Sequence, residues 1–314
     1  MSLTYSECGV SPARNDYWVK KLSKMNITDG GFASLWEEDD SYWVSSTDGI
    51  GSKLILAKEC SFPNWTYSLG QDLVAMVVND IITTGASPLF LLDYLAVHQI
   101  GDIDLSPLLT GIRDSCISVG CQLLGGETSE LPNIIPQGLF DVAGFGVGKI
   151  QKSDLWEDCR VRNGDAILGL ESSGPHSNGF SLIRRIHENS PFSKEELQCI
   201  LSPTPLYVDV VKEIKKTYSD YVHAAAHITG GGLIGNLTRV IPNYLYPNIT
   251  YPTIPSLFRT IQEKGNISEE ELRTVLNCGT GFCLIVNPFC LEEILSICQS
   301  FFSTQILGIV VQKE

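Results

Sequence analysis

The residues of this 314-residue chain that could do chemistry gather beside glycines. Thr47-Asp48-Gly49-Ile50-Gly51-Ser52-Lys53-Leu54 sets an acid and a lysine around a two-glycine turn. Glycine lets backbone approach a ligand and a carboxylate offers a hard oxygen, so the run suits metal or phosphate chemistry. A plain hairpin turn is the other reading. In DLVAMVVNDI, Asp72 and Asn79 share one face of a helix, while Asp80 points elsewhere. Polar side chains in so apolar a helix are costly to bury unpaired, so the shared face reads as a candidate site. A helix cap at Asp72 is the alternative. LLGGETSELP ends a strand in Gly-Gly and then offers Glu127, Thr128 and Glu130. Oxygen ligands at a strand's C-terminal end fit the usual site of an α/β unit; an acidic loop would look the same.

The second half carries the densest donors. ESSGPHSNGFSLIRRI supplies Ser173, His176, Ser177 and Asn178 before a helix with Arg184 and Arg185. His227 precedes Thr229-Gly230-Gly231-Gly232. A lone histidine is more often structural. The glycines at 230, 232 and 235 match G-x-G-x-x-G, but the acid expected about 20 residues later in a dinucleotide fold is missing. Anion binding by backbone N–H groups and a ligand-free glycine turn both remain open. No G-x-x-x-x-G-K-[ST] phosphate loop occurs, and no Ser/Cys–His–acid order stands out.

Strands and helices must position these groups. YWVSSTD and KLILAK read as strands around the GIGS turn, and 72–85 as a buried helix with Asp72 near its start. PLFLLDYLAV reads as a strand, 104–120 as a helix, CQLLG as a strand and DVAGFGVGKI as a strand. The polar stretch 151–165 is the boundary candidate. Beyond it come strand AILGLES, helices SNGFSLIRRIHE and PLYVDVVKEIKKTY, strand VHAAAHI, helix PSLFRTIQEKG, strand CGTGFCLIV, a helix from Leu291 and strand QILGIVV. Both halves mix strand and helix, which gives two α/β units.

Composition narrows the function. Lys and Arg number 22 against 36 Asp and Glu, a net charge of −14. That acidity argues against nucleic acid and anionic membrane as partners. Ten cysteines without a C-x-x-C pair read as reduced, mostly buried thiols of a cytosolic protein. The opening MSLTYSECGV lacks the basic-then-apolar pattern of a secretory leader, and the apolar runs are too short for a membrane helix. A cytoplasmic protein is the expectation.

The ordered runs TDGIGSKL, DLVAMVVNDI, GASPLFLLDY, GGETSELP, DVAGFGVG, SSGPHSNGFSLIRRI, HITGGGLIGNLTRVIP and NCGTGF resemble the phosphoribosylformylglycinamidine cyclo-ligase family, the aminoimidazole ribonucleotide synthetases. The likeness extends from about Thr47 to the end of the chain. It implies ring closure of formylglycinamidine ribonucleotide with ATP and Mg²⁺ in purine synthesis. It also implies a homodimer whose N-terminal sheets (residues 1–155) join in a barrel, beside C-terminal α/β domains (156–314).

By the same resemblance, Asp48, Asp72 and Glu127 are the metal acids. Gly30, Gly31, Asp48, Gly49, Gly51, Lys53, Asp72 and Asn79 face the nucleotide. Ser173, His176, Ser177, Asn178, Thr229, Gly230, Gly231 and Gly232 face the substrate, and His176, His227 and Lys53 are catalytic. Where the family reads a segment like GGFGG, this chain has Gly30-Gly31-Phe32-Ala33-Ser34, with Lys20, Lys21 and Lys24 upstream. His98 receives no role. The rivals are a selenophosphate synthetase or thiamine monophosphate kinase type of the same superfamily, and a dinucleotide-binding oxidoreductase built on the 230–235 glycines.

Overall fold

The computed structural model describes residues 31–313 together with Cys8 and Lys21. The first unit runs β1 (Ser34–Glu38), β2 (Ser41–Gly49), α1 (Lys53–Glu59), α2 (Trp65–Ile82), β3 (Ser87–Val97), α3 (Ser106–Val119), β4 (Gln122–Glu130) and β5 (Phe140–Gln151). Its sheet has the order β1-β2-β5-β3-β4, antiparallel except for the β3–β4 pair. One face is covered by α2, and the glycines of β5 explain how. A Cβ at Gly146 would stand 2.5 Å from Val77 Cγ1, so the small residues form the seat on which the helix lies. The opposite face carries Leu92, Tyr94 and Phe145, each more than a third exposed.

The second unit runs β6 (Ala166–Glu171), α4 (Phe180–Asn189), α5 (Lys194–Ile200), α6 (Val208–Lys215), β7 (Val222–His227), α7 (Gly232–Leu237), β8 (Leu245–Ile249), α8 (Ser256–Gly265), α9 (Glu269–Val275), β9 (Thr280–Val286), α10 (Leu291–Phe301) and β10 (Thr304–Gln312). Its sheet order is β7-β9-β6-β10-β8, and every pair is antiparallel. Strands β7 and β9 are buried along their whole length, with apolar layers on both faces. One of those layers is continuous with the core beneath α2, joining Leu73 and Val77 to Val211 and Phe282.

Three local readings change. KLILAK is helix α1, not a strand: Lys53, Leu54, Leu56 and Ala57 are buried at helical spacing and the residues favour helix. Helix α2 starts at Trp65, so Asp72 lies in its interior and caps nothing. The strand CQLLG continues through Gly-Gly to Glu130 because it pairs in parallel with β3, up to Val97 opposite Glu130. Among the described residues no helix is long and apolar enough to cross a membrane.

Candidate active site between the two sheets

Helix α2 faces the second unit with three polar side chains on two sides. Asp72 and Asn79 do share a face, and both hold the segment 202–207. Asp72 Oδ1 accepts from Thr204 N at 2.8 Å and Thr204 Oγ1 at 2.6 Å. Lys53 Nζ lies 2.9 Å from Oδ1 and 2.8 Å from Oδ2, and also donates to Ser202 O at 2.8 Å. Asn79 donates to Pro205 O at 2.9 Å and accepts from Tyr207 N at 3.1 Å. Lys53, Asp72 and Asn79 are fully buried, and their polar atoms are hydrogen-bonded in this interdomain lacing except Asp72 Oδ2, which has only the Lys53 ammonium beside it. Burial pulls the Lys53 ammonium down from its usual range and Asp72 opposes the shift.

Asp80 lies about 80° further round the helix. The sequence reading turned it away from the site; the structure turns it toward one. Its Oδ1 is 2.9 Å from His227 Nδ1, and Ser46 Oγ donates to Oδ2 at 3.3 Å. A carboxylate at Nδ1 fixes the tautomer with Nδ1–H and leaves Nε2 as a lone pair. That Nε2 is buried without a protein partner. Beside it, with ring centroids 6.2 Å apart, sits His176, fully buried, with neither ring nitrogen partnered. Burial first, then the neighbouring His227 and Lys53, hold its pKa well below the usual imidazole value. His176 is therefore a neutral imidazole at pH 7.

Three glycine turns converge on this pair. A Cβ at Gly51 would be 3.9 Å from Ser177 O, and one at Gly230 would be 3.6 Å from Asn178 Oδ1. Ser52 Oγ and Ser181 Oγ are 3.4 Å apart. Ser177 Oγ and Asn178 Nδ2 are buried and unpartnered, at the N-terminus of the ten-residue α4. Asn236 ties the third turn by donating to Thr229 O at 3.2 Å and Gly232 O at 2.7 Å. Gly232 has φ +64° and would place a Cβ 1.8 Å from Arg273 O, so packing alone demands glycine there. Ser173 Oγ donates to Pro203 O at 2.7 Å, which directs it to the 202–207 segment.

Asp48 approaches the same cluster from the end of β2. Gly49 N donates to its Oδ1 at 2.7 Å. Its carboxyl is nevertheless pushed up to about 6, chiefly by burial and then by the Asp80 charge. Two carboxylates that repel in a half-buried site suit a hard divalent cation, so Asp48 and Asp80 fit Mg²⁺. The other two expected acids stand apart. Asp72 is engaged as above. Glu127 is exposed and pairs in register with Tyr94 on the uncovered face, whereas Asp48 lies on the face covered by α2. Among the described residues no three His, Cys, Asp or Glu side chains are grouped to hold a metal.

Gly30, Lys20 and Lys24 lie outside the described residues. Gly31 is described: its carbonyl accepts from Arg239, whose guanidinium covers the Phe32 ring at 4.0 Å. Burial pulls the Arg239 guanidinium down from its usual range, and the Asp80 charge opposes the shift. His98 Nδ1 is 2.9 Å from Ile135 O, a local contact. Sequence reasoning missed Asp80 and Arg239. For Asp80 a signal existed: an acid in a buried apolar helix, off the Asp72/Asn79 face, must find a partner of its own. Arg239 carried none.

The family models of AIR synthase related protein match the chain, the N-terminal domain over residues 29–150 and the C-terminal domain over 162–314. A phosphoribosylformylglycinamidine cyclo-ligase of Xylella fastidiosa (strain 9a5c) is 40% identical over 309 residues, covering 91% of this chain and 87% of that one. One from Xanthomonas oryzae pv. oryzae (strain PXO99A) is 41% identical, covering 91% and 90%. Among solved structures, AaThiL complexed with AMPPCP and TMP superposes with a TM-score of 0.63 at 17% identity, covering 100% of this chain and 94% of that one. T. maritima PurL complexed with ADP gives 0.60 at 17%, covering 90% and 42%. These structures share the two-domain fold. A dinucleotide fold is excluded: the strand before the 230–235 glycines belongs to an antiparallel sheet, not a parallel one.

Proposed function

The chain belongs to the AIR synthase family, and from that premise we propose that it closes the imidazole ring of 5-aminoimidazole ribonucleotide from formylglycinamidine ribonucleotide and ATP. The observation that carries the reading is the buried imidazole pair. His176 Nδ1 and Nε2 and His227 Nε2 have no protein partner, yet three glycine turns converge on them. Buried polar groups are ordinarily bonded, so these atoms await a ligand.

The chemistry is a phosphorylation followed by a displacement. The formyl amide oxygen attacks the γ-phosphorus of ATP, an O–P bond forms and ADP leaves. The amidine nitrogen then attacks the activated carbon, a C–N bond forms, the C–O bond breaks and phosphate departs. The nitrogen loses a proton on closure. His227 Nε2, held as an acceptor by Asp80, takes that proton. Neutral His176 orients the reacting amide. Ser177, Asn178 and the turn Thr229–Gly232 hold the ribose phosphate through N–H and O–H donors. Mg²⁺, held by Asp48 and Asp80, would neutralise the phosphate charge of ATP. Lys53, Asp72 and Asn79 hold the two units together behind the imidazoles, and Gly49, Gly51 and Gly31 border the nucleotide. Residues 1–155 and 156–314 are the working division of labour.

The uncovered sheet face supports a homodimer. Leu92 and Phe145 are register partners, Tyr94 follows, and Leu124 adds to an apolar surface along the edge strand β4. A second copy would cover this face and its edge together. Sedimentation at micromolar concentration should give twice the 34.5 kDa chain mass.

The deciding experiment incubates the chain with formylglycinamidine ribonucleotide and Mg·ATP. The aminoimidazole product and ADP should appear in equal amounts. ADP without the product, or neither, would overturn the reading.

A further inference from the structure

Helix α3 ends in a closed turn of a particular kind. Gly120 has φ +72°, its N–H donates to Ile117 O at 3.1 Å, and the Cys121 N–H donates to Cys116 O at 2.9 Å. This pair of bonds, around a left-handed glycine, is the Schellman arrangement. It brings the side chains of the residue after the glycine and of the residue three before the cap into contact, a place commonly filled by two apolar groups. Here it is filled by two cysteines, Cys116 and Cys121. Both are free thiols, 1% and 4% exposed. Lys212 of α6 donates to Val119 O beside them, so the turn also joins the two units.

We propose that Cys116 and Cys121 form an oxidation site, a dithiol that a small peroxide converts to an intramolecular disulfide. The 2.9 Å backbone bond from Cys121 N to Cys116 O holds the two residues close together, and proximity is what a disulfide requires first. Either thiol can act first, with the other as the resolving thiol. One thiolate attacks a peroxide oxygen, an S–O bond forms, the O–O bond breaks, and the leaving hydroxide takes a proton to become water. The other sulfur then attacks the oxidised one, the S–S bond forms, the S–O bond breaks, and the second hydroxide leaves with the resolving thiol's proton as water. Two sulfurs together lose two electrons, and the peroxide gains them.

Arg113 and Lys149 bracket a tryptic peptide that holds these two cysteines and no other. The full chain is treated with hydrogen peroxide, alkylated with N-ethylmaleimide, digested and weighed. The 114–149 peptide should lose both alkyl groups and appear about 2 Da lighter than the free dithiol form, and dithiothreitol should restore them. In Cys116→Ser and in Cys121→Ser the remaining cysteine should stop at a sulfenic acid that dimedone traps, and no intramolecular disulfide should form. The proposal fails if the parent peptide remains doubly alkylated while the exposed Cys159 and Cys199 oxidise. It fails equally if either cysteine links to a third. The parent measurement decides the matter even where a serine variant does not fold, and it is independent of the ring-closing assignment.

Discussion

Lys53 and Asp72, nineteen residues apart, form an ion pair that water does not reach, with Nζ 2.8 Å from Oδ2. The pair stands behind the imidazoles, and Thr204 and Ser202 O complete it. Breaking one half of such a pair leaves the other charge buried and uncompensated, at a cost of about 3–5 kcal/mol. Lys53→Met and Asp72→Asn should therefore lower the urea midpoint sharply. The double variant Lys53→Met/Asp72→Leu should recover much of the loss. A parent-like midpoint for Asp72→Asn would show that the carboxylate charge is not needed for the fold.

Asp80→Asn keeps the size of the side chain and removes the charge that orients His227. Turnover should fall by about 10²–10⁴, the worth of a positioned acid–base group. Steady-state kinetics over a range of formylglycinamidine ribonucleotide should place the loss in kcat. An unchanged kcat would remove His227 as the base.

Asp48 connects pH to stability with a definite sign. Its folded pKa of about 6 stands above the ordinary 3.8, so the fold prefers the protonated form. The favourable contribution is complete below the ordinary value and is lost as pH rises through about 6. The charge then costs up to about 3 kcal/mol in the ligand-free chain. Asp48→Asn should be more stable than the parent at pH 7.5, with the advantage gone near pH 4. The same variant should lose Mg·ATP-dependent turnover. Urea melts at the two pH values test the first half, and a lower midpoint at pH 7.5 would refute it.

Gly281→Ala probes the wall behind the imidazoles. The added Cβ would stand 2.1 Å from Tyr207 Oη and 2.6 Å from His176 Cε1. Tyr207 is anchored by a 2.7 Å bond to Glu171 O, so it cannot retreat freely. The change should cost about 1–3 kcal/mol of stability and reduce turnover together. Parent-like values in both would mean that the wall yields.

Much of this was legible in the sequence, unevenly. The alternating strand and helix runs and the glycine turns show in the pattern because local propensity and apolar spacing agree there. KLILAK misled because a seven-residue helix is too short to display its period against a strand of equal length. The 72/79 face was found, but its use was not: spacing says which residues share a face, not what packs on it. Asp80, Arg239 and the separation of Asp48 from Glu127 depend on sheet register and on contacts between distant segments, such as the 147 residues from Asp80 to His227. No local pattern encodes those.

His176 adopts φ +60°, a left-handed backbone that histidine enters at a cost of about 1–2 kcal/mol and glycine enters freely. Thermal stability and activity therefore pull this one position in opposite directions. A variant library sorted only for resistance to heat should drift from histidine to glycine at residue 176. A library sorted for ring closure should not. The divergence between the two selections would mark the imidazole as kept for its chemistry against the preference of the chain that carries it.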